Sequence, residues 1–267
     1  MSTETPDTPQ PLPLFYHDPQ PVSSEQHARW SLRNGDFAFA AGAPFVPVVI
    51  GEFMQAMCSF PLVFASDHSA PLALLGLEQS NLFISDGVWE TGKYIPAYVR
   101  RYPFGFIATA RPNGFTLAID AASQRVDPSG AEGSPLFEDG KPSALTRQAL
   151  DFCYAFRGEA AATAQFIAAL QSKQLLTDRR ADATLPDGSK FGVTGFQVVD
   201  AEKFARLDAG TIVEWHNKGW LALVHFHLAS LARFTDLLAR QSALRAAAPA
   251  ASATPAKPGK RKPAATQ

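Results

Sequence analysis

The placement of proline constrains this chain more than any other feature. Six of its 21 prolines fall in residues 1–22 and four in residues 246–267, leaving eleven for the 223 residues between. Proline has no N–H donor and a fixed φ, so clustered prolines work against helix and sheet alike. The first stretch also has three acids and no Lys or Arg. The last is rich in Ala and Pro, ends Lys257-Pro258-Gly259-Lys260-Arg261-Lys262, and has four bases and no acid. We read 1–22 and 245–267 as disordered arms on one folded domain at 23–244. Four charges in the tail read as solubilising rather than as a nucleic-acid or lipid contact.

The domain has the means to bury a core. Hydrophobic residues are 46% of the chain and charged residues 18%, and 20 phenylalanines stand against five tyrosines and four tryptophans, which points to aromatics used for packing. The body holds 20 bases against 22 acids, without the basic surplus expected of a nucleic-acid-binding surface. Two cysteines exclude a disulfide-rich scaffold, and Cys58 and Cys153 read as small hydrophobes among apolar neighbours. The first residues lack the pattern of a secretory signal, and no segment offers about 18 consecutive apolar residues. The run from Trp220 to Ala232 is interrupted by His225, His227 and Ser230. The expectation is a cytoplasmic protein with no membrane span, the alternative being the cell surface by a non-classical route.

Turn and cap signals set the expected elements. Phe104 to Ala110 and Phe115 to Ile119 flank Pro112-Asn113-Gly114, and Ala183 to Leu185 and Lys190 to Val193 flank Pro186-Asp187-Gly188. Both read as hairpins, because such turns supply the φ angles that antiparallel strands need. Leu72 to Leu77, Asn81 to Ile84 and Phe196 to Val199 read as further strands. Helices are expected over Gly51 to Phe60, Ile95 to Arg101, and, split at Gly158, over Ser143 to Phe156 and Glu159 to Lys173. Ser143 and Asp200 are N-cap candidates, the latter for Ala201 to Leu207. A last helix from Gly219 to about Leu244 carries an apolar stripe of helical period. The fold class is α+β, with a mostly antiparallel sheet and helices concentrated in the C-terminal half.

No common phosphate-loop, dinucleotide, nucleophile-elbow or metal motif occurs, and no catalytic residue, metal or cofactor is called for. His225-Phe226-His227 would share a face on a strand but diverges by about 200° on a helix, so it is set aside as a chelate. Arg100-Arg101-Tyr102 is the most distinctive polar cluster. Adjacent arginines can clamp a carboxylate or phosphate, or one can pair with an acid such as Glu52 or Asp86. Glu52, inside an apolar stretch, is either a buried partner of an arginine or an acid–base group with a raised pKa. Tyr94, Tyr98 and Tyr102 recur every four residues and read as packing with polar tips. Ser230 lies three residues from His227, and a helical serine there reads as back-bonded.

Four stretches carry a family resemblance. They are Val48-Val49-Ile50-Gly51-Glu52-Phe53 followed by Phe60 to Phe64; Tyr98-Val99-Arg100-Arg101-Tyr102-Pro103-Phe104; Gly195-Phe196-Gln197-Val198-Val199-Asp200 with Lys203-Phe204; and His227-Leu228-Ala229-Ser230-Leu231. In order and spacing the chain resembles the bacterial SapC family from about Leu14 to Arg240. The resemblance implies a surface-layer-related protein. It also implies an accessory role beside TonB-dependent outer-membrane receptors, tryptophan-halogenase-like proteins and cupin-like proteins. A peptide-transport permease of the same name is set apart by its membrane spans.

The expected function is that of a non-enzymatic accessory or binding protein. Its candidate recognition residues are Glu52, Arg100, Arg101, Tyr102 and His227, and its partner is a protein or a small anionic ligand. The alternative is an enzyme of unrecognised type, with Glu52 or His227 as the acid–base group and Arg100 and Arg101 holding an anionic substrate.

Overall fold

The computed structural model describes residues 12–67, 70–109, 114–184 and 190–251. In chain order come β1 (Pro19–Pro21), β2 (Phe45–Pro47), the single helical turn α1 (Phe53–Ala56), β3 (Leu62–Ala65) and β4 (Pro71–Leu74). Next are the second short turn α2 (Ala97–Arg100), β5 (Phe104–Ala108), β6 (Phe115–Asp120) and the long helix α3 (Ala144–Ser172). Then follow β7 (Leu176–Thr184), β8 (Lys190–Val199), α4 (Ala201–Ala205), α5 (Ala209–Asn217), α6 (Trp220–Ser230) and α7 (Arg233–Ala251). The fold is α+β, and every strand pairing described is antiparallel.

The strands form several sheets rather than one. A five-stranded sheet has the order β7-β8-β3-β4-β2, and a three-stranded sheet has the order β1-β6-β5. The expected pairings of β5 with β6 and of β7 with β8 are present, while Pro112-Asn113 and Pro186-Asp187-Gly188 lie outside the described residues. The segment from Asn81 does not form a partner strand for β4, which pairs with β2 and β3 instead. A register shift lies between Arg179 and Ala181 of β7, opposite Gly195 of β8, whose φ of 82° only glycine adopts at little cost.

Helix α3 joins two apolar clusters. Phe166, Ile167 and Leu170 pack into the core with Phe53, Phe60 and Phe64. Cys153 packs with Leu32, Phe104, Ile119 and Leu136 beneath the three-stranded sheet. The expected break at Gly158 does not occur, and one helix of 29 residues runs from the Ser143 cap, whose Oγ accepts from the Thr146 N–H. A mid-helix glycine costs about 1 kcal/mol, whereas each large apolar side chain buried beyond it returns roughly 1.5–3 kcal/mol.

The sequence reading departs from the structure in four further places. Residues 12–22 are ordered rather than part of an arm: Phe15 and Tyr16 are buried in the core and β1 pairs with β6. Helix continues to Ala251, past the expected start of the tail at 245, and residues 252–267 are not among those described. The helix expected over Gly51 to Phe60 is only a 3-10 turn, Ile50–Glu52, and the single turn α1. The last helix is divided by a turn at Leu231 and Ala232. The stretch Trp220–Ala246 contains an 18-residue window of mean hydropathy 1.2, long and apolar enough to cross a membrane by length and composition alone, a test that the core helix of a soluble protein also passes.

Two side chains of α6 tie that stretch to the large sheet. Ser230 Oγ accepts from the Leu62 N–H at 2.9 Å and donates to the His227 carbonyl at 2.6 Å. His227 Nε2 accepts from the Val199 N–H at 3.0 Å. Leu62 starts β3 and Val199 ends β8, beyond the register pairs Phe196–Ala65 and Gln197–Phe64, so helix side chains take the place of a strand partner. Replacing Ser230 by Ala leaves the buried Leu62 N–H without an acceptor. Stability should fall by about 1–3 kcal/mol, read as a lower urea midpoint at unchanged m-value.

Candidate functional site

The site begins with a 3-10 turn whose N–H groups find partners in side chains. The Ile50 N–H donates to Thr163 Oγ1 at 3.0 Å and the Gly51 N–H to Glu159 Oε2 at 3.1 Å. Glu159 and Thr163 lie four apart on α3 and therefore share one face. A Cβ on Gly51 would stand 2.6 Å from Glu159 Oε2, so glycine lets the carboxylate reach the backbone.

Glu52 closes this turn and is 4% exposed. Its Oε1 accepts from the Val49 N–H at 2.9 Å, so the side chain reaches back to the residue that opens the turn. Its Oε2 accepts from the Ala97 N–H at 2.8 Å and the Tyr94 hydroxyl at 2.9 Å. Burial raises the Glu52 pKa above the usual carboxylate range, and the Ala97, Val49 and Tyr94 donors and the Arg100 charge pull it back. Burial, with the charge and hydrogen bond of Glu52, pushes the Tyr94 phenol up to about 12. Among the described residues Glu52 forms no ion pair with an arginine. It fastens its own turn to the Lys93–Arg100 segment.

A cleft of about 660 Å³ opens beside Glu52, between this turn, the Lys93–Arg100 segment and α3. Glu52 and Arg100 both line it, with Lys93, Tyr94, Phe152 and Glu159. Arg100 is exposed, donates from Nε to the Ile95 carbonyl at 3.0 Å and from Nη2 to the Tyr94 hydroxyl at 3.2 Å, and lies over the Phe152 ring. Arg101 turns to other rings, with its guanidinium carbon 4.2 Å from the centroid of Tyr98 and 4.5 Å from that of Phe156. Tyr102 is buried and donates to Asp120 Oδ2 at 2.7 Å. A smaller pocket of about 210 Å³ brings Arg100, Arg101 and Tyr102 together with Arg125.

His227 lines neither cavity. It is fully buried against Phe64, and burial lowers its pKa to about 4, with the Leu62 backbone pulling the other way. The structure thus joins Glu52 with Arg100, joins Arg100 with Arg101 and Tyr102, and keeps His227 apart. Glu159, Thr163, Lys93 and Arg125 are site residues that sequence reasoning did not single out. Among the described residues no group of three or more His, Cys, Asp or Glu side chains could hold a metal ion.

A family model, SapC, matches residues 22–237. No curated protein and no solved structure matches the chain.

Two outcomes follow from the buried groups. Glu52→Gln sets an amide donor against backbone and hydroxyl donors and should cost about 1–3 kcal/mol in denaturant unfolding. A histidine whose folded-state pKa is depressed stabilises the fold above its ordinary value of 6.5, and that stability is lost as the pH falls toward about 4. The loss for His227 is about 3 kcal/mol. Because burial lowers the His27 pKa and raises that of Glu52, the measurement is the difference in urea-unfolding free energy between wild type and His227→Gln. That difference should shrink from pH 7 to pH 4, and a pH-independent difference would contradict a neutral His227.

Proposed function

The chain belongs to the SapC family, and from that premise we propose that it is a non-catalytic accessory protein that works by binding through the Glu52–Arg100 cleft. The observation that carries this reading is the state of the charges lining the cleft. Glu52 accepts three hydrogen bonds and Glu159 accepts one from the Gly51 N–H, so both acids serve the scaffold. Arg100 and Lys93 make no ion pair among the described residues and are left to meet an incoming group. Beside them Phe152 offers an aromatic face. The matching ligand is an anionic, partly apolar group, carried by a protein partner or a small molecule.

An enzyme would need an acid–base group free to exchange a proton with a substrate. Glu52 has both oxygens engaged, and His227 lies buried elsewhere, between α6 and β8. Both observations favour binding over catalysis. The family context directs the accessory role toward surface-layer, TonB-dependent uptake, or halogenase-like and cupin-like modifying systems, with the protein acting from the cytoplasm.

Arg100→Glu tests the reading. Arg100 is exposed but donates to the Ile95 carbonyl and the Tyr94 hydroxyl, so folding stability should fall by about 1–2 kcal/mol, and capture is compared under conditions where both forms are folded. Affinity capture from native cells should lose the wild-type partner at least tenfold, quantified by mass spectrometry. Equal recovery by both forms would remove the cleft from consideration.

A further inference from the structure

We propose that the smaller pocket, which shares only Arg100 and Phe152 with the cleft, binds a phosphoryl oxyanion bearing a small apolar group. This goes beyond the cleft-binding reading, because the pocket has its own residues. Arg100, Arg101 and Arg125 line it with Gln148, Phe104 and Phe152, and no acidic side chain does.

Three guanidinium groups around about 210 Å³ with no acid in the lining form a concentrated positive field. None of the three makes an ion pair among the described residues. Asp36 acts on Arg125 only at longer range, from an adjoining cavity that Arg125 also lines. Arg101 and Arg125 each keep a buried Nε–H without an acceptor.

The guanidinium groups are also held in place before any ligand arrives. Arg101 rests on Tyr98 and Phe156, Arg125 Nη1 donates to the Tyr102 carbonyl at 3.1 Å, and Arg100 is held by Ile95 and Tyr94. Pre-positioned forks lose little freedom on binding. The first turns of α3, which supply Leu145, Gln148 and Ala149, add the positive end of a 29-residue helix. Three forks suit the three terminal oxygens of a phosphoryl group better than the two of a carboxylate. Phe104 and Phe152 provide an apolar wall for what the phosphoryl group is attached to.

Isothermal titration calorimetry of the full chain with phenyl phosphate, inorganic phosphate and benzoate at fixed ionic strength tests the site. Phenyl phosphate should bind at least tenfold more tightly than benzoate. Tighter binding of inorganic phosphate than of its ester would overturn the apolar part of the proposal. Gln148→Glu places a carboxylate at an exposed position in the pocket lining and should weaken phenyl phosphate binding at least tenfold at unchanged melting temperature. Arg125→Gln should weaken it similarly. Lys93→Ala alters the larger cleft and does not touch the lining of the smaller pocket, so it should leave phosphate binding intact, whatever becomes of partner capture. Absence of phosphate binding by the wild type, indifference to Gln148→Glu, or loss through Lys93→Ala instead would each overturn the site.

Discussion

The carboxylate of Glu52 is the interaction on which the region around both cavities depends. Removing a carboxylate from water costs several kcal/mol unless protein donors replace the water. The donors here come from three places, Val49, Tyr94 and Ala97, and the last two are 42 and 45 residues away. Satisfying one charge therefore fixes the 3-10 turn, the Tyr94 segment and the start of α2 relative to one another. The same turn is bonded to α3 through Thr163 and Glu159. The cleft is the space left between elements positioned in this way.

A second buried carboxylate holds the other end of the same segment. Asp120 is fully buried and accepts from the Tyr102 hydroxyl and from the backbone of His17 and Asp18. Between these two anchors α2 is only four residues long, far too short to persist by its own propensity. Its first N–H is held by Glu52, and beyond its last turn Arg101 is stacked on Tyr98 and Phe156. Such contacts contribute roughly 0.5–2 kcal/mol each and need no acid. The aromatic content thus does two tasks. It fills the core, and it stabilises cations without neutralising them, leaving positive charge available to a ligand.

Short-range signals were legible in the sequence and long-range ones were not. Ser143 and Asp200 cap the helices expected of them, and two hairpins formed where turn residues separate apolar runs. The turns Asp86-Gly87 and Asp139-Gly140, with positive φ at all four residues, carry the same chemistry and were passed over because their strands are only two residues long. Helix α5 had a signal in Asp208, which caps Thr211, and Trp215 supplies its buried side. At the site, Glu52 and Arg100 could be marked as unusual from their neighbours in sequence. Where they lead could not, since Thr163 and Glu159 lie 113 and 108 residues from the groups they bind. The same holds for Tyr16, whose hydroxyl donates to the Phe104 carbonyl and which lies buried in the core beside Phe15.

The stretches that carry the family resemblance turn out to be fasteners. Glu52 reaches back to the Val49 N–H, Tyr102 reaches Asp120, Asp200 caps α4, Lys203 Nζ donates to the Gln174 carbonyl, and His227 and Ser230 dock α6 on β8 and β3. The Tyr102, Lys203, His227 and Ser230 contacts join segments distant in sequence, and at the buried ones a wrong side chain would leave a polar group unpaired at a cost of about 1–3 kcal/mol. A wall residue of a solvent-open cavity carries no such penalty. Lys93, Arg125, Gln148 and Phe152 lie outside those stretches, and apart from Arg100 and Arg101 they are what gives the two cavities their chemistry. A fold held this way can keep its scaffold while its walls change. The identity of the ligand is then to be sought in the walls of the two cavities, where Arg100 and Arg101 of the recognisable stretches meet Lys93, Arg125, Gln148 and Phe152, which lie outside them.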